Sequence, residues 1–122
     1  LDPAALRNTE ENVRRHHLEN SVRIAKSDLF SDVSGTFDVI LANLPIWDEL
    51  WNVKTPTTDL NQAFLSDVKK YLKPGGVAAL AWFSASPVEP VRAALQKAGF
   101  LVEEFSEESI GYTWYLFLLK NP

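Results

Sequence analysis

Few residues of this sequence are equipped for chemistry, and Asn43 is the first of them. It follows Phe37-Asp38-Val39-Ile40-Leu41-Ala42 directly and precedes Leu44-Pro45-Ile46-Trp47. The six residues before it are short, apolar and β-branched, which suits a strand buried on both faces of a sheet. In open α/β sheets, ligands bind at the carboxyl ends of such strands. A side-chain amide there, on a loop stiffened by proline, both donates and accepts hydrogen bonds. Asn and Pro also end strands merely because they favour turns, and both readings stand at this point. Asp28 is the second candidate. Val22-Arg23-Ile24-Ala25 alternates like a short strand and delivers Ser27-Asp28-Leu29-Phe30 at its end.

Other constellations are missing from the sequence. There is no Cys, which excludes disulfides, thiolate zinc and a cysteine nucleophile. The five glycines, at 35, 75, 76, 99 and 111, form neither a Gly-x-Gly-x-x-Gly fingerprint nor a phosphate loop. No His-Glu metal spacing and no serine in a nucleophile elbow is present, so no metal site is expected. His16-His17 falls near the end of a helix, where the macrodipole favours cations, and reads as a cap.

The elements that must position Asp28 and Asn43 can be followed along the chain. Asp2-Pro3 starts a helix, with Asp as N-cap and Pro at the first helical position. Ala5, Leu6, Thr9, Val13 and Leu18 give it a patchy apolar stripe. Ser34-Gly35-Thr36 is a turn before the Phe37 strand. A second helix is expected from Asp59 to Leu72, with Leu60, Phe64, Val68 and Leu72 four apart and a capping box from Asp59 and Gln62. Lys73-Pro74-Gly75-Gly76 stops it, and Val77 to Phe83 is another buried strand. Ser86-Pro87-Val88-Glu89 reads as a capping box opening a helix to Ala98, which Gly99 closes. Phe100 to Phe105 and Tyr112 to Leu119 are the last two strands. The acidic stretch Glu103–Glu108 reads as a solvated edge and turn. Alternation of strand and helix predicts an α/β sandwich with a largely parallel sheet covered on both faces. The final two strands lack a helix between them and should pair antiparallel.

Composition sets outer bounds. The 122 residues fit one modest domain, and 46% hydrophobic content with seven Phe, four Trp and three Tyr belongs to a globular chain. A net charge of −4 with no basic patch argues against a dedicated nucleic-acid binder. The longest apolar run, Trp114 to Leu119, is far too short to span a bilayer. No cationic leader opens the chain, so a cytoplasmic location is expected.

The runs DPAALRNTEENVRRHHLENSVRIAKSDLF, FDVILANLPIW and YLKPGGVAAL, in that order and spacing, resemble class I S-adenosylmethionine-dependent methyltransferases. Within these the sequence is most similar to enzymes whose fourth motif reads Asn/Asp-Pro-Pro-Tyr/Phe. They methylate planar nitrogens of protein glutamines or nucleic-acid bases. The resemblance implies a Rossmann-like three-layer sandwich with a mostly parallel sheet and an antiparallel C-terminal strand pair. It makes residues 1–122 the carboxyl-terminal two-thirds of a single methyltransferase domain. It also implies roles. Asp28, with Leu29 beside it, matches the acidic residue that contacts the cofactor's adenine. Asn43 matches the polar residue of the fourth motif, facing both cofactor and acceptor, and Pro45 matches its second proline. Leu44 stands in place of the first proline and Ile46 in place of the stacking aromatic, which leaves stacking to Trp47. An amide or aryl nitrogen is a poor nucleophile, because its lone pair is delocalised. The Asn43 side-chain oxygen and the Leu44 carbonyl would accept its N–H bonds, align it with the sulfonium methyl and stabilise the developing charge.

The family's first two strands, glycine-rich loop and ribose-binding acid have no counterpart in these residues. In the family's strand order, 3-2-1-4-5-7-6, that leaves the Phe37 strand with an open edge. Pairing with a missing segment or with another chain is therefore expected. Acidity favours a protein or small-molecule acceptor over nucleic acid. The alternative is a non-catalytic methyltransferase-like scaffold that completes a partner's sheet, with Trp47 and Trp51 as interface residues.

Overall fold

The computed structural model describes residues 2–45 and 57–122. The chain divides into two units, Leu1–Ser34 and Gly35–Pro122.

In the first unit, α1 spans Pro3–Arg15. The Asp2 carboxylate accepts from the Ala4 N–H at 2.8 Å, and Pro3 occupies the first turn, as the sequence demands. The other end closes in a Schellman motif. The His17 N–H donates to the Arg14 carbonyl at 3.1 Å and the Leu18 N–H to the Val13 carbonyl at 2.9 Å. His17 takes a left-handed φ of 56° to do so, a position usually given to Gly. The histidines are thus backbone caps. Val22–Ala25 does not form the expected strand but runs irregularly. A strand needs a neighbour for its N–H and C=O groups, and none pairs with this segment among the described residues.

The second unit is a four-stranded mixed sheet with two helices. Its elements are β1 Phe37–Ala42, α2 Thr57–Tyr71, β2 Leu72–Phe83, α3 Glu89–Lys97, β3 Leu101–Ser109 and β4 Tyr112–Lys120. The order across the sheet is β1-β2-β4-β3. Only the β1/β2 pair is parallel, with Ile40 opposite Ala78 and Ala42 opposite Leu80. β4 runs antiparallel to β2 and to β3. This is the 4-5-7-6 half of the strand order given above.

Alternation along the strands sorts the two faces. Ala78, Leu80 and Trp82 of β2, with Phe117 and Leu119 of β4, are buried together with Phe64, Leu65 and Val68 of α2 and Val91 and Leu95 of α3. Leu80 lies opposite Phe117 and both have no exposed surface, so each stabilises the fold by about 1.5–3 kcal/mol. The other face, with Val39, Leu41, Phe83, Trp114 and Leu116, is covered by no helix of this unit among the described residues, which form two layers. β1 is also an edge strand here; Val39 is 60% and Leu41 79% exposed.

Several boundaries differ from expectation. β3, expected to end at Phe105 and give way to a turn, runs on to Ser109 because β4 pairs with it throughout, and α2 starts two residues early, at Thr57. Lys73-Pro74-Gly75-Gly76 ends α2, but it is already part of β2. Phe37 pairs with Leu72 and Val39 with Val77, so the four residues form a bulge. Gly75 supplies φ 76°, and Gly76 lies so close to β1 that a Cβ would come within 2.9 Å of the Lys73 carbonyl and 3.1 Å of those of Phe37 and Asp38. Asn121 clamps the bulge from the far end of the chain, donating to Gly76 O and accepting from Gly75 N–H, both at 3.0 Å. At α3, no capping box forms. Val88 is the N-cap, with no side-chain cap bond. The Ser86 carbonyl instead accepts the Trp82 indole N–H at 3.2 Å, within a turn that precedes the helix. The expected box at Asp59 concerns a side chain outside the described residues.

Candidate functional site

β1 and β2 run parallel, so their carboxyl ends lie at one end of the sheet, and Asn43 emerges there. Asn43 is exposed, while Leu44 and Pro45 are half-buried behind it. The amide therefore faces solvent on a backbone that the next two residues anchor. Proline lacks an N–H and fixes its own φ, so the Leu44–Pro45 step holds the Leu44 carbonyl in a restricted orientation. The arrangement offers two hydrogen-bond acceptors, the Asn43 Oδ1 and the Leu44 O, on neighbouring residues. Ile46 and Trp47, expected to face the substrate, lie outside the described residues, as does Trp51.

Asp28 and Leu29 stand together in the first unit, in a turn tied by serines. The Ser31 N–H donates to the Asp28 carbonyl at 3.1 Å, and the Asp28 N–H donates to Ser31 Oγ at 3.1 Å. Ser27 Oγ donates to the Leu29 carbonyl at 2.9 Å and accepts from the Asp32 N–H at 3.0 Å. The Asp28 carboxylate takes no part in this network and is exposed. Leu29 is half-buried with a left-handed φ of 49°. That angle is unfavourable for a residue with a Cβ, and such angles concentrate where a particular backbone shape is required.

The residues that would hold S-adenosylmethionine fit one part of it. A free carboxylate beside an apolar side chain suits the amino edge and ring of an adenine, and an exposed amide suits a polar group at the strand end. The methionine part would need a glycine-rich loop, and the five glycines of these 122 residues form no Gly-x-Gly-x-x-Gly run. Among the described residues no group of His, Asp and Glu is placed to hold a metal ion. The charged pairs that shift acidity lie away from Asn43. Lys73 holds the Asp38 carboxyl below its ordinary range at the opposite end of β1, and Arg92 does the same to Glu104.

A small pocket of about 170 Å³ lies on the helix-covered face at the end of β2, lined in part by Asn61, Gln62, Trp82 and Pro87. Trp82 is two residues beyond Leu80, the partner of Ala42, so this pocket is level with the Asn43–Leu44 step along the sheet. Asn61 is buried, and the sequence reading passed over it. The signal was available: Asn61, Phe64, Leu65 and Val68 fall at helical i, i+3, i+4, i+7 spacing, which puts a polar residue on the buried stripe.

Residues 1–111 match the methyltransferase small domain family. A relative named ribosomal protein L11 methyltransferase, from Bacillus cereus (strain B4264), is 29% identical over 104 residues, which is 85% of this chain and 30% of that protein. The chain spans about a third of the length of the curated relatives it matches. Among solved structures, TrmN from Thermus thermophilus aligns over all of this chain and 35% of its own, with a TM-score of 0.73 and 23% identity. A methyltransferase from Pyrococcus furiosus aligns over all of this chain and 60% of its own, with a TM-score of 0.68 and 20% identity. The fold is therefore the Rossmann-like methyltransferase fold, represented here by part of its sheet.

Proposed function

From the premise that the chain belongs to the methyltransferase small domain family, we propose that it forms part of an S-adenosylmethionine-dependent enzyme that methylates a planar nitrogen. The observation that carries this reading is the exposed Asn43 amide at the carboxyl end of the parallel β1/β2 pair, on the half-buried Leu44-Pro45 step. Bound S-adenosylmethionine supplies an electrophilic methyl group. The chain's part is to prepare the acceptor. Asn43 Oδ1 and Leu44 O accept its two N–H bonds and turn the nitrogen lone pair out of conjugation. As the nitrogen gains positive charge, those two oxygens stabilise it more strongly than in the ground state, which lowers the barrier. No titrating base is required of these residues. Asp28 and Leu29 form the adenine contact, the strained turn at Leu29 setting the carboxylate clear of its own backbone. A protein or small-molecule acceptor suits the acidic chain better than nucleic acid, and relatives named for methylating a ribosomal protein agree with that.

The test is methyl transfer by the full-length protein, with labelled cofactor and candidate acceptors, before and after Asn43→Ala. Transfer that Asn43→Ala leaves unchanged would remove the assignment.

A second reading has its own observation. The open edge of β1 and the uncovered sheet face suit a subunit that pairs with a further segment or another chain without doing chemistry. Cofactor binding by the full-length protein separates the two: a pure scaffold binds none.

A further inference from the structure

β3 pairs with β4 along its whole length, from Leu101↔Lys120 to Ser109↔Tyr112, and with no other strand among the described residues. Alternate N–H and C=O groups of a strand point away from a single neighbour. The nine residues of β3 therefore present a row about 30 Å long that another strand can read. All nine are exposed.

Their side chains select what that strand must be. On the face without helices β3 alternates Leu101, Glu103, Phe105 and Glu107, with Leu101 63% and Phe105 53% exposed. Arg92 neutralises Glu104 and Lys120 neutralises Glu103. Glu107 and Glu108 have no ion-pair partner among the described residues. A second copy of this chain would bring four more glutamates against these, and like charges across a strand pair are destabilising. The phosphates of a nucleic acid are repelled in the same way. A strand with apolar side chains opposite Leu101 and Phe105 and two consecutive cations at the end beside Glu107 and Glu108 meets both the apolar and the acidic side chains, since consecutive residues point to opposite faces.

We propose that the open edge of β3 takes an extended basic polypeptide segment by strand addition. Main-chain hydrogen bonds run along Leu101–Ser109, apolar side chains meet Leu101 and Phe105, and cations meet Glu107 and Glu108. The charges that bar self-association at this edge thereby specify its partner. The proposal does not depend on the methyl-transfer reading.

The probe is an eight-residue peptide with valine and threonine alternating over six residues and two lysines at one end, added to the full-length protein and followed by hydrogen–deuterium exchange and by titration. Amides of residues 101–109 are expected to gain protection, and affinity to fall at least about tenfold between low and high salt. E107K/E108K, at two exposed positions, should weaken binding at least about tenfold. A backbone N-methylated version of the peptide should not bind. The idea is overturned if residues 101–109 gain no protection at saturation. Equal binding of the N-methylated peptide, or of the peptide with both lysines replaced by glutamate, would overturn it too, as would protection of these amides by oligouridine.

Discussion

At the scale of single residues, the proposed chemistry rests on two exposed side chains. Among the described residues Asn43 ends β1 and its side chain makes no further hydrogen bond. Asn43→Ala in the full-length protein should therefore lower turnover on the order of 10²-fold with cofactor affinity nearly unchanged, the pattern of an interaction made in the transition state. Steady-state kinetics alongside cofactor titration checks it. Asp28 stands differently. Its backbone is part of the serine-tied turn, but its carboxylate is not. Asp28→Ala should weaken cofactor binding and leave thermal stability unchanged; calorimetry and a melting curve read both. Equal cofactor affinity would reduce Asp28 to a turn residue. Gly76 is the residue whose smallness the structure cannot spare. Three backbone carbonyls crowd the position a Cβ would occupy, and backbone cannot move aside as a flexible side chain does. Gly76→Ala is expected to cost about 1–3 kcal/mol by overpacking, measured by urea unfolding. A neutral result would mean that β1 can shift outward from β2.

The β3–β4 hairpin shows the same logic at the scale of an element. Ser109 pairs with Tyr112, leaving Ile110 and Gly111 as a two-residue turn with φ 53° and 75°. Positive φ at both positions is the type I′ pattern, which favours Asn-Gly because it matches the twist of the flanking strands. Isoleucine is a poor occupant, since its branched Cβ crowds the backbone in the left-handed region. It is also 94% exposed, so it gains nothing from burial. Ile110→Asn should stabilise the protein by about 1 kcal/mol, visible as a higher urea midpoint at constant slope. A lower midpoint would show that Ile110 is held by contacts outside these residues. The bulge at the start of β2 is a second device of this kind: Asn121, just past β4, holds it from the other end of the chain through its backbone and its side chain.

At the scale of the whole molecule, the proposed contacts account for only part of the cofactor. The 122 residues by themselves are expected not to bind S-adenosylmethionine. On the proposed reading Asp28 and Leu29 would hold an adenine edge at most and Asn43 would face the acceptor, while the five scattered glycines form no Gly-x-Gly-x-x-Gly run for the methionine end. One ring edge does not offset the several kcal/mol that association costs in lost freedom. Isothermal titration of the isolated chain decides it, and micromolar binding would mean that other residues complete the site. In the sheet, β1 has a neighbour on one side only among the described residues, and no described helix of its own unit lies on the face bearing Leu41, Phe83 and Trp114.

The sequence by itself determined what is local or periodic. The Asp2-Pro3 start, the Phe37–Ala42 strand, the four-residue spacing of α2, the Gly99 stop and the antiparallel final pair follow from capping, hydrophobic period and connection length. The family order FDVILAN to YLKPGG, and with it the place of Asn43 at a strand end, was legible in the same way. Tertiary structure decided what depends on a neighbour. Val22–Ala25 has the alternation of a strand and is not one, because alternation supplies no hydrogen-bond partner. Lys73-Pro74-Gly75-Gly76 reads as a stop and is also a bulge, because Leu72 finds Phe37 beside it and Asn121 closes on the glycines. Ser86 has the spacing of a cap but lies outside α3, which starts at Glu89 with Val88 as its N-cap after a turn through Ser86. Which glutamates of the acidic stretch are neutralised was likewise invisible, since Arg92 and Lys120 reach Glu104 and Glu103 only once α3 and β4 have packed beside them.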